Sequence, residues 1–370
     1  MTKVRTAAFR VDASLDMGTG HVMRCLTLAD ELGRHGVHSI FVSSAHEGNL
    51  TEFVSAKGYE VRILPLGDLE TSNPDGPAHA HWLGKPWEQD AQQTLEVLQG
   101  EKFDWLVVDH YALDSRWELA VKPAYARLLV IDDLADRAHA SDAVLDQNLG
   151  STEQRYAGKV PGGCRVFAGA KYAMLRPEFA ALRDVSLTRR QQGEFQRLLI
   201  TMGGVDKHNA TGQVLQAIQT MKSLPANLQI DVVMGQHAPW LEVVRNQVAN
   251  MPHKTVVHVN TPEMAKLMVT SDLAIGAAGS TSWERCALGL PTIMAVLAEN
   301  QREAAQHLGE SGAVLVADMD GAFSDNVRRC VEQIVEQPDL LKRMSRHAAA
   351  ITSGDGAQIL AKWMKEYGNE

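Results

Sequence analysis

Short apolar runs alternate with amphipathic helical stretches from one end of the sequence to the other. A run that is apolar throughout, with no polar alternation, belongs to a strand covered on both faces. A chain that returns through a helix each time lays the next strand parallel to the last. The expected class is therefore α/β. In the first half the candidate strands are 6–14, 39–44, 59–64, 105–109, 128–132, 143–146 and 165–168, with helical stretches such as 22–34 and 87–98 between them. The pattern breaks at 176–197, where a charged helical segment holding Arg189, Arg190, Gln191 and Gln192 carries only a weak apolar face; it reads as an interdomain linker. Strand runs resume at 198–201, 230–234, 255–259, 273–276 and 292–296, and helices near 325–335 and 356–365 end the chain. Two Rossmann-like domains follow, 1–185 and 186–370, expected to face each other across a cleft ringed by the carboxyl ends of their strands. The one long loop, 71–86, is rich in Pro, Gly, Asn and His.

Composition narrows the partners. With 370 residues, 45% of them hydrophobic, each domain has enough apolar side chains for a core. Lys and Arg number 36 against 45 Asp and Glu, a net charge of -9 with no basic run, which disfavours nucleic acid. No apolar stretch approaches the roughly 18 residues of a membrane span. Cys25, Cys164, Cys286 and Cys330 form no C-x-x-C pair, and no secretory segment precedes the first strand. The expectation is a cytoplasmic monomer with reduced thiols and a small-molecule ligand.

Three segments carry chemistry. The first strand leads through Gly18-Thr19-Gly20-His21 into a helix, putting His21 in its first turn and Arg24 three residues on, on the same face. Free amides at a helix start suit an anion, and the positive helix end keeps an imidazole neutral and able to accept a proton. On spacing alone His21 fits either a general base or a polar residue at a helix start. The second segment runs from Thr201 through Gly203, Gly204 and Asp206 into a helix, either a phosphate loop or a tight turn with Asp206 as its cap. The third places Gly279, Ser280 and Thr281 at a helix start with Glu284 just inside. There a carboxylate can bind the vicinal diol of a ribose or simply offset the helix dipole. Asn300 and Gln301 open a further helix, where capping is the alternative role. The acids at Asp109, Asp132, Asp133, Asp136, Asp142 and Asp146 are spread over strand and loop without metal-ligand spacing; they read as solvated strand ends and caps, and no metal or other cofactor is expected. His35, His38, His79 and His81 read as loop or surface histidines without a role.

The segments RVDASLDMGTGHVMRCLTLA, VVDHYALD, IDDLADRAHASDAVLDQNLG, YAMLRPEF, MGGVDKHNAT and IGAAGSTSWERCALGLP followed by AENQ resemble, together and in this order, the UDP-sugar hydrolases of the pseudaminic acid pathway. These are relatives of the GT-B glycosyltransferases that make lipid II. Ala278 stands where a second glycine is common in the pattern. The resemblance implies a GT-B-like fold and metal-free removal of UDP from UDP-2,4-diacetamido-2,4,6-trideoxy-β-L-altropyranose. It also implies His21 as the residue that activates water, with Tyr111 and Asn300 in the substrate cleft; Gly20, Arg24 and Gln301 are read as substrate-binding beside them. By the same resemblance Glu284 would be the ribose ligand, and Gly203, Gly204, Gly279 and Ser280 the diphosphate or uridine contacts; Asp206 and Thr281 are read as nucleotide-binding residues of the same two loops. A nucleoside diphosphate leaves as an anion, so one base acting on water at C1, with inversion, would suffice, and no carboxylate paired with His21 is expected. A GT-B glycosyltransferase, an epimerase or a non-catalytic UDP-sugar-binding protein are the alternatives.

Overall fold

The computed structural model describes residues 5–67, 76–297, 299–319 and 321–367. The chain forms two compact units, Met1–Met174 with Asp355–Glu370, and Leu175–Gly354. The strands of the first are β1 (Arg5–Val11), β2 (Val37–Ser44), β3 (Glu60–Leu64), β4 (Phe103–Asp109), β5 (Tyr125–Ile131), β6 (Ala143–Asp146) and β7 (Arg165–Ala168). They pair in parallel in the order β3-β2-β1-β4-β5-β6-β7. Around them run α1 (Gly20–Arg34), α2 (Thr51–Ala56), α3 (Trp87–Val97) and α4 (Ser115–Ala120). In the second unit α5 (Pro177–Arg190) precedes β8 (Arg197–Thr201), α6 (Ala210–Gln219), β9 (Gln229–Met234), α7 (Leu241–Val248), β10 (Lys254–Val259), α8 (Met264–Thr270) and β11 (Leu273–Ala277). There follow α9 (Thr281–Ala287), β12 (Thr292–Val296), α10 (Arg302–Glu310), β13 (Val314–Asp318), α11 (Phe323–Glu336) and α12 (Pro338–Ile351), and the sheet order is β10-β9-β8-β11-β12-β13. The last helix, α13 (Gly356–Glu366), packs with the first unit. Both sheets are doubly wound, as the alternation of runs requires.

In β1, Ala7, Phe9 and Val11 face one core with Val22, Cys25, Leu28 and Leu32 of α1, while Ala8 faces the other with Trp117 of α4. Each fully buried Leu or Phe contributes roughly 1.5–3 kcal/mol. Leu360, Ala361 and Met364 of α13 complete the α1 core, and the helix approaches so closely that a Cβ on Gly356 would sit 2.4 Å from the Tyr172 carbonyl carbon. That docking corrects the expected division at 186: the C-terminal helix belongs with the first unit, and the second begins at Leu175.

The segment expected to be a linker is a structural part of the second unit. Arg183 donates to the carbonyls of Ala287, Ala349 and Thr352, and buried Arg190 donates to those of Met268, Ser271 and Leu288. These are the last carbonyls of α8, α9 and α12, which no helix amide can reach. The charge in the segment expected to be a linker serves to satisfy helix ends. β13 and α12, absent from the sequence reading, complete the edge of the second sheet and cover its core with Leu341 and Met344.

Candidate active site

In each sheet the strand order reverses beside the first strand, and such a switch point opens a crevice at the carboxyl ends of the strands. In the first unit it lies between β1, which leads to α1, and β4, which ends at Asp109 directly beside Val11. His21 projects from the first turn of α1, whose start no side chain caps. Its Nδ1 lies 2.6 Å from Asp109 Oδ1. Arg24, one turn on, grips the same carboxylate through Nε and Nη2, the latter at 2.7 Å. Burial would push Asp109 up, but Arg24 and His21 hold it well below the usual carboxylate range. An ionised carboxylate only accepts, so the His21 Nδ1 donates to it, and Nε2 is the ring nitrogen left to serve as a base. The expected absence of a paired carboxylate is therefore corrected. His21 has an orienting partner, which the sequence reading had set aside as a strand-end acid.

Aromatic rings enclose this pair. Tyr111 meets His21 edge-on, with centroids 4.7 Å apart, and its hydroxyl donates to Asp133 at 2.7 Å. Arg24 Nη1 donates to the same Asp133 oxygen. Trp82 stacks on Tyr111 at 5.7 Å, and His79 packs against Trp82 at 4.6 Å and Tyr111 at 5.5 Å. His79 thus joins the site, contrary to the role-free reading. Residues 71–75 of the long loop lie outside the described residues, whereas its later part turns through Ala80–Leu83 to deliver Trp82. Gly20 is exposed at the start of α1. The signal for Asp109 was in the sequence, since it ends a strand; what sequence lacks is the strand order that sets β4 against β1.

Behind this site lies a buried ionic layer. Arg10 bridges Asp12, at 2.7 Å, and Asp90, at 2.6 Å. His110 Nδ1 accepts from the Ala112 amide, which leaves Nε2 to face Asp12 Oδ2 at 3.2 Å. A second cluster packs His139 between Glu118, at 2.7 Å, and Asp132, at 3.5 Å, with Arg137 on Asp132 at 2.9 Å. Burial alone would lower His139, but its two carboxylate partners push it up to about 9. Among the described residues no group of three or more His, Cys, Asp or Glu side chains could hold a metal ion. None of their helices is long and apolar enough to cross a membrane.

In the second unit the switch point falls between β8 and β11, and the two glycine loops leave exactly these strands' ends. Gly203 and Gly204 are exposed. The polar residues behind them are already engaged: Asp206 accepts from the amides of Ala210 and Thr211 at 2.8 and 2.9 Å, and Asn209 accepts from Gly212 at 3.1 Å. These bonds satisfy the free amides of α6, so the capping role read for Asp206 is the one its carboxylate performs. In the other loop Gly279 and Ser280 are exposed and Thr281 half-buried. Buried Arg285 braces this loop from beneath, donating to the Ala277 carbonyl at 2.8 Å and Ser282 Oγ at 3.1 Å. It fits only because position 276 is glycine, where a Cβ would lie 2.7 Å from its Nη1. Glu284 is 3.7 Å from Arg176; burial outweighs the nearby Arg176 and Arg285 and pushes its carboxyl up to about 7. Gln301 accepts from the Leu297 amide at 3.0 Å. The side chain of Asn300 lies outside the described residues.

Residues 198–360 match the Glycosyltransferase family 28 C-terminal domain. A UDP-2,4-diacetamido-2,4,6-trideoxy-beta-L-altropyranose hydrolase of Campylobacter jejuni is 25% identical over 82% of this chain and 96% of its own. An uncharacterized protein of Methanocaldococcus jannaschii is also 25% identical over 80% of this chain, which spans only 56% of that protein's length. The crystal structure of Acinetobacter baumannii MurG superposes with a TM-score of 0.67 at 15% identity, covering 98% of this chain and 99% of that one. The fold is thus a pair of Rossmann-like parallel-sheet domains of GT-B type.

Proposed function

We propose that this protein is a UDP-sugar hydrolase that releases UDP from UDP-2,4-diacetamido-2,4,6-trideoxy-β-L-altropyranose or a closely similar sugar nucleotide. The observation that carries the reading is the His21–Asp109 pair, an imidazole held in one tautomer at the switch point of the first unit. A relative bearing that activity in its name, aligned over most of both chains, supports the choice of substrate.

Water is deprotonated by His21 Nε2 as its oxygen attacks the sugar C1. The C1–O bond to the diphosphate breaks, its electron pair stays on the β-phosphate oxygen, and UDP leaves as an anion. The sugar carries the new hydroxyl with inverted configuration. Asp109 acts through His21 as a positioning residue and stabilises the imidazolium that forms. In this reading Gly20, Arg24 and Tyr111 take the sugar, and Asn300 and Gln301 are substrate-binding residues of the second unit. Glu284 accepts the ribose diol, and Gly203, Gly204, Gly279, Ser280 and Thr281 approach the nucleotide, with Asp206 holding its loop in shape.

Attack at carbon and attack at phosphorus differ in where the water oxygen ends. In heavy-oxygen water containing EDTA, the label is expected in the sugar, with UDP unlabelled and the anomer inverted. Label in UDP, or loss of activity with the chelator, overturns the role of His21. The match to a glycosyltransferase family model favours one second reading, transfer of the sugar to an acceptor. UDP release that occurs only when an alcohol acceptor is supplied would establish it.

A further inference from the structure

Several buried polar atoms have no hydrogen-bond partner among the described residues. Asp12 Oδ2, His46 Nε2 and His110 Nε2 make no well-formed hydrogen bond, yet they face one another at 3.2–3.5 Å, and His139 Nε2 likewise faces Asp132. Asp133 is different. Its Oδ2 takes both the Tyr111 hydroxyl and Arg24, while its Oδ1 is buried and receives nothing from the described residues. A buried acceptor left in that state costs roughly 1–3 kcal/mol. It sits one hydrogen bond from Tyr111 and Arg24, both of which touch His21.

We infer that Asp133 is a sugar-recognition residue, its Oδ1 accepting a hydrogen bond from a hydroxyl or amide N–H of the sugar that reacts at His21. The inference rests on the proposed hydrolase reading for the identity of the ligand. A buried acceptor of this kind discriminates strongly, because an analogue lacking the donor leaves the carboxylate unpaired. It assigns Asp133 the task of choosing the sugar, apart from the nucleotide.

The test uses the full chain and calorimetric titration with UDP and a panel of UDP-hexoses that includes UDP-N-acetylglucosamine. Asp133→Asn keeps an acceptor for Arg24 and Tyr111 but turns a donor toward the position of Oδ1. The affinity gained by a UDP-sugar over UDP is expected to fall about 10–100-fold in this variant, with UDP itself unchanged within about 2-fold. In the wild-type protein, replacing single hydroxyl or N–H donors of the bound sugar by hydrogen should locate one position with the same loss, a measurement that stands even if the variant does not fold. Full retention of the sugar increment, an equal loss for UDP, or no analogue that is discriminated overturns the assignment. So does a wild-type protein that binds no UDP-sugar more tightly than UDP. If instead the increment exists and depends on Asp133 but no UDP is released, the hydrolase reading fails and the recognition role stands.

Discussion

The two units carry the same switch point in the same kind of sheet, yet they treat charge in opposite ways. In the first, every buried carboxylate around the site has a cation against it: Asp109 with Arg24, Asp12 and Asp90 with Arg10, Asp132 with Arg137. The carboxylates of Asp109, Asp12 and Asp132 stay ionised at any ordinary pH despite burial. In the second, Asp206 and Asn209 are spent on capping α6, and half-buried Glu284 and buried Arg285 have so little compensation that both shift toward neutrality. One unit presents a fixed electrostatic frame in which a proton can be moved. The other presents exposed glycine loops and a carboxylate short of donors, which a ligand can supply.

The largest effect that breaks this contrast is expected at His21. His21→Ala should lower kcat by about 10²–10⁴-fold, with UDP affinity nearly intact, because in the proposed reading a base acts on the transition state and the nucleotide contacts belong to other residues. Steady-state kinetics beside UDP titration check this; a raised KM at normal kcat would make His21 a binding residue. Asp109→Asn should follow, with kcat down about 10²-fold or more at little change in KM, since an amide no longer selects the Nδ1–H tautomer. If the pH–rate profile of that variant overlays the wild type, the carboxylate is only structural.

How far these residues were legible from sequence depends on range. The strands other than β13 and the three glycine-led turns are local signals, in which an apolar run, a glycine and a helix start are adjacent in the chain; they stand close to where the sequence puts them. Asp109 and Asp133 are not local. Each looks like any acid ending a strand until β4 and β5 are known to follow β1 in the sheet. His79 and Trp82 lie in a polar loop, and nothing in its composition says that it folds back onto Tyr111. The segment 176–197 misled in the other direction, because a linker's charges and carbonyl-capping arginines such as Arg183 and Arg190 look alike in sequence.

The frame of the first unit can be titrated. His139 is raised from 6.5 to about 9 in the folded chain. Such a shift stabilises the fold fully below the unfolded value and is lost as pH climbs through the folded one. At 1.36 kcal/mol per unit the contribution is on the order of 3 kcal/mol. Urea midpoints should therefore decline between about pH 6.5 and pH 9, and His139→Gln should remove most of that decline. Parallel profiles for the two proteins would show that His139 is not held by Glu118 and Asp132 as a cation.

The smallest expected effect sharpens the other side of the contrast. Glu284 is raised from 4.5 to about 7, so the sign is reversed for a carboxylate: its favourable contribution is complete below 4.5 and is lost as pH rises through 7, where the buried group is forced to ionise. A ribose diol supplies the two donors that the carboxylate lacks, and donors favour the ionised form. Binding of UDP should thus tighten as pH rises from about 6 to 8. The terminal phosphate of UDP titrates near pH 6 as well, so the informative quantity is the difference from Glu284→Gln, in which only the ligand ionises. That variant should bind UDP more weakly by about 1–3 kcal/mol at pH 8, with the gap closing toward pH 6 as the wild-type carboxyl takes up its proton. A gap independent of pH would place the diol elsewhere, and no gap at all would leave Glu284 as a buried acid that only offsets the dipole of α9.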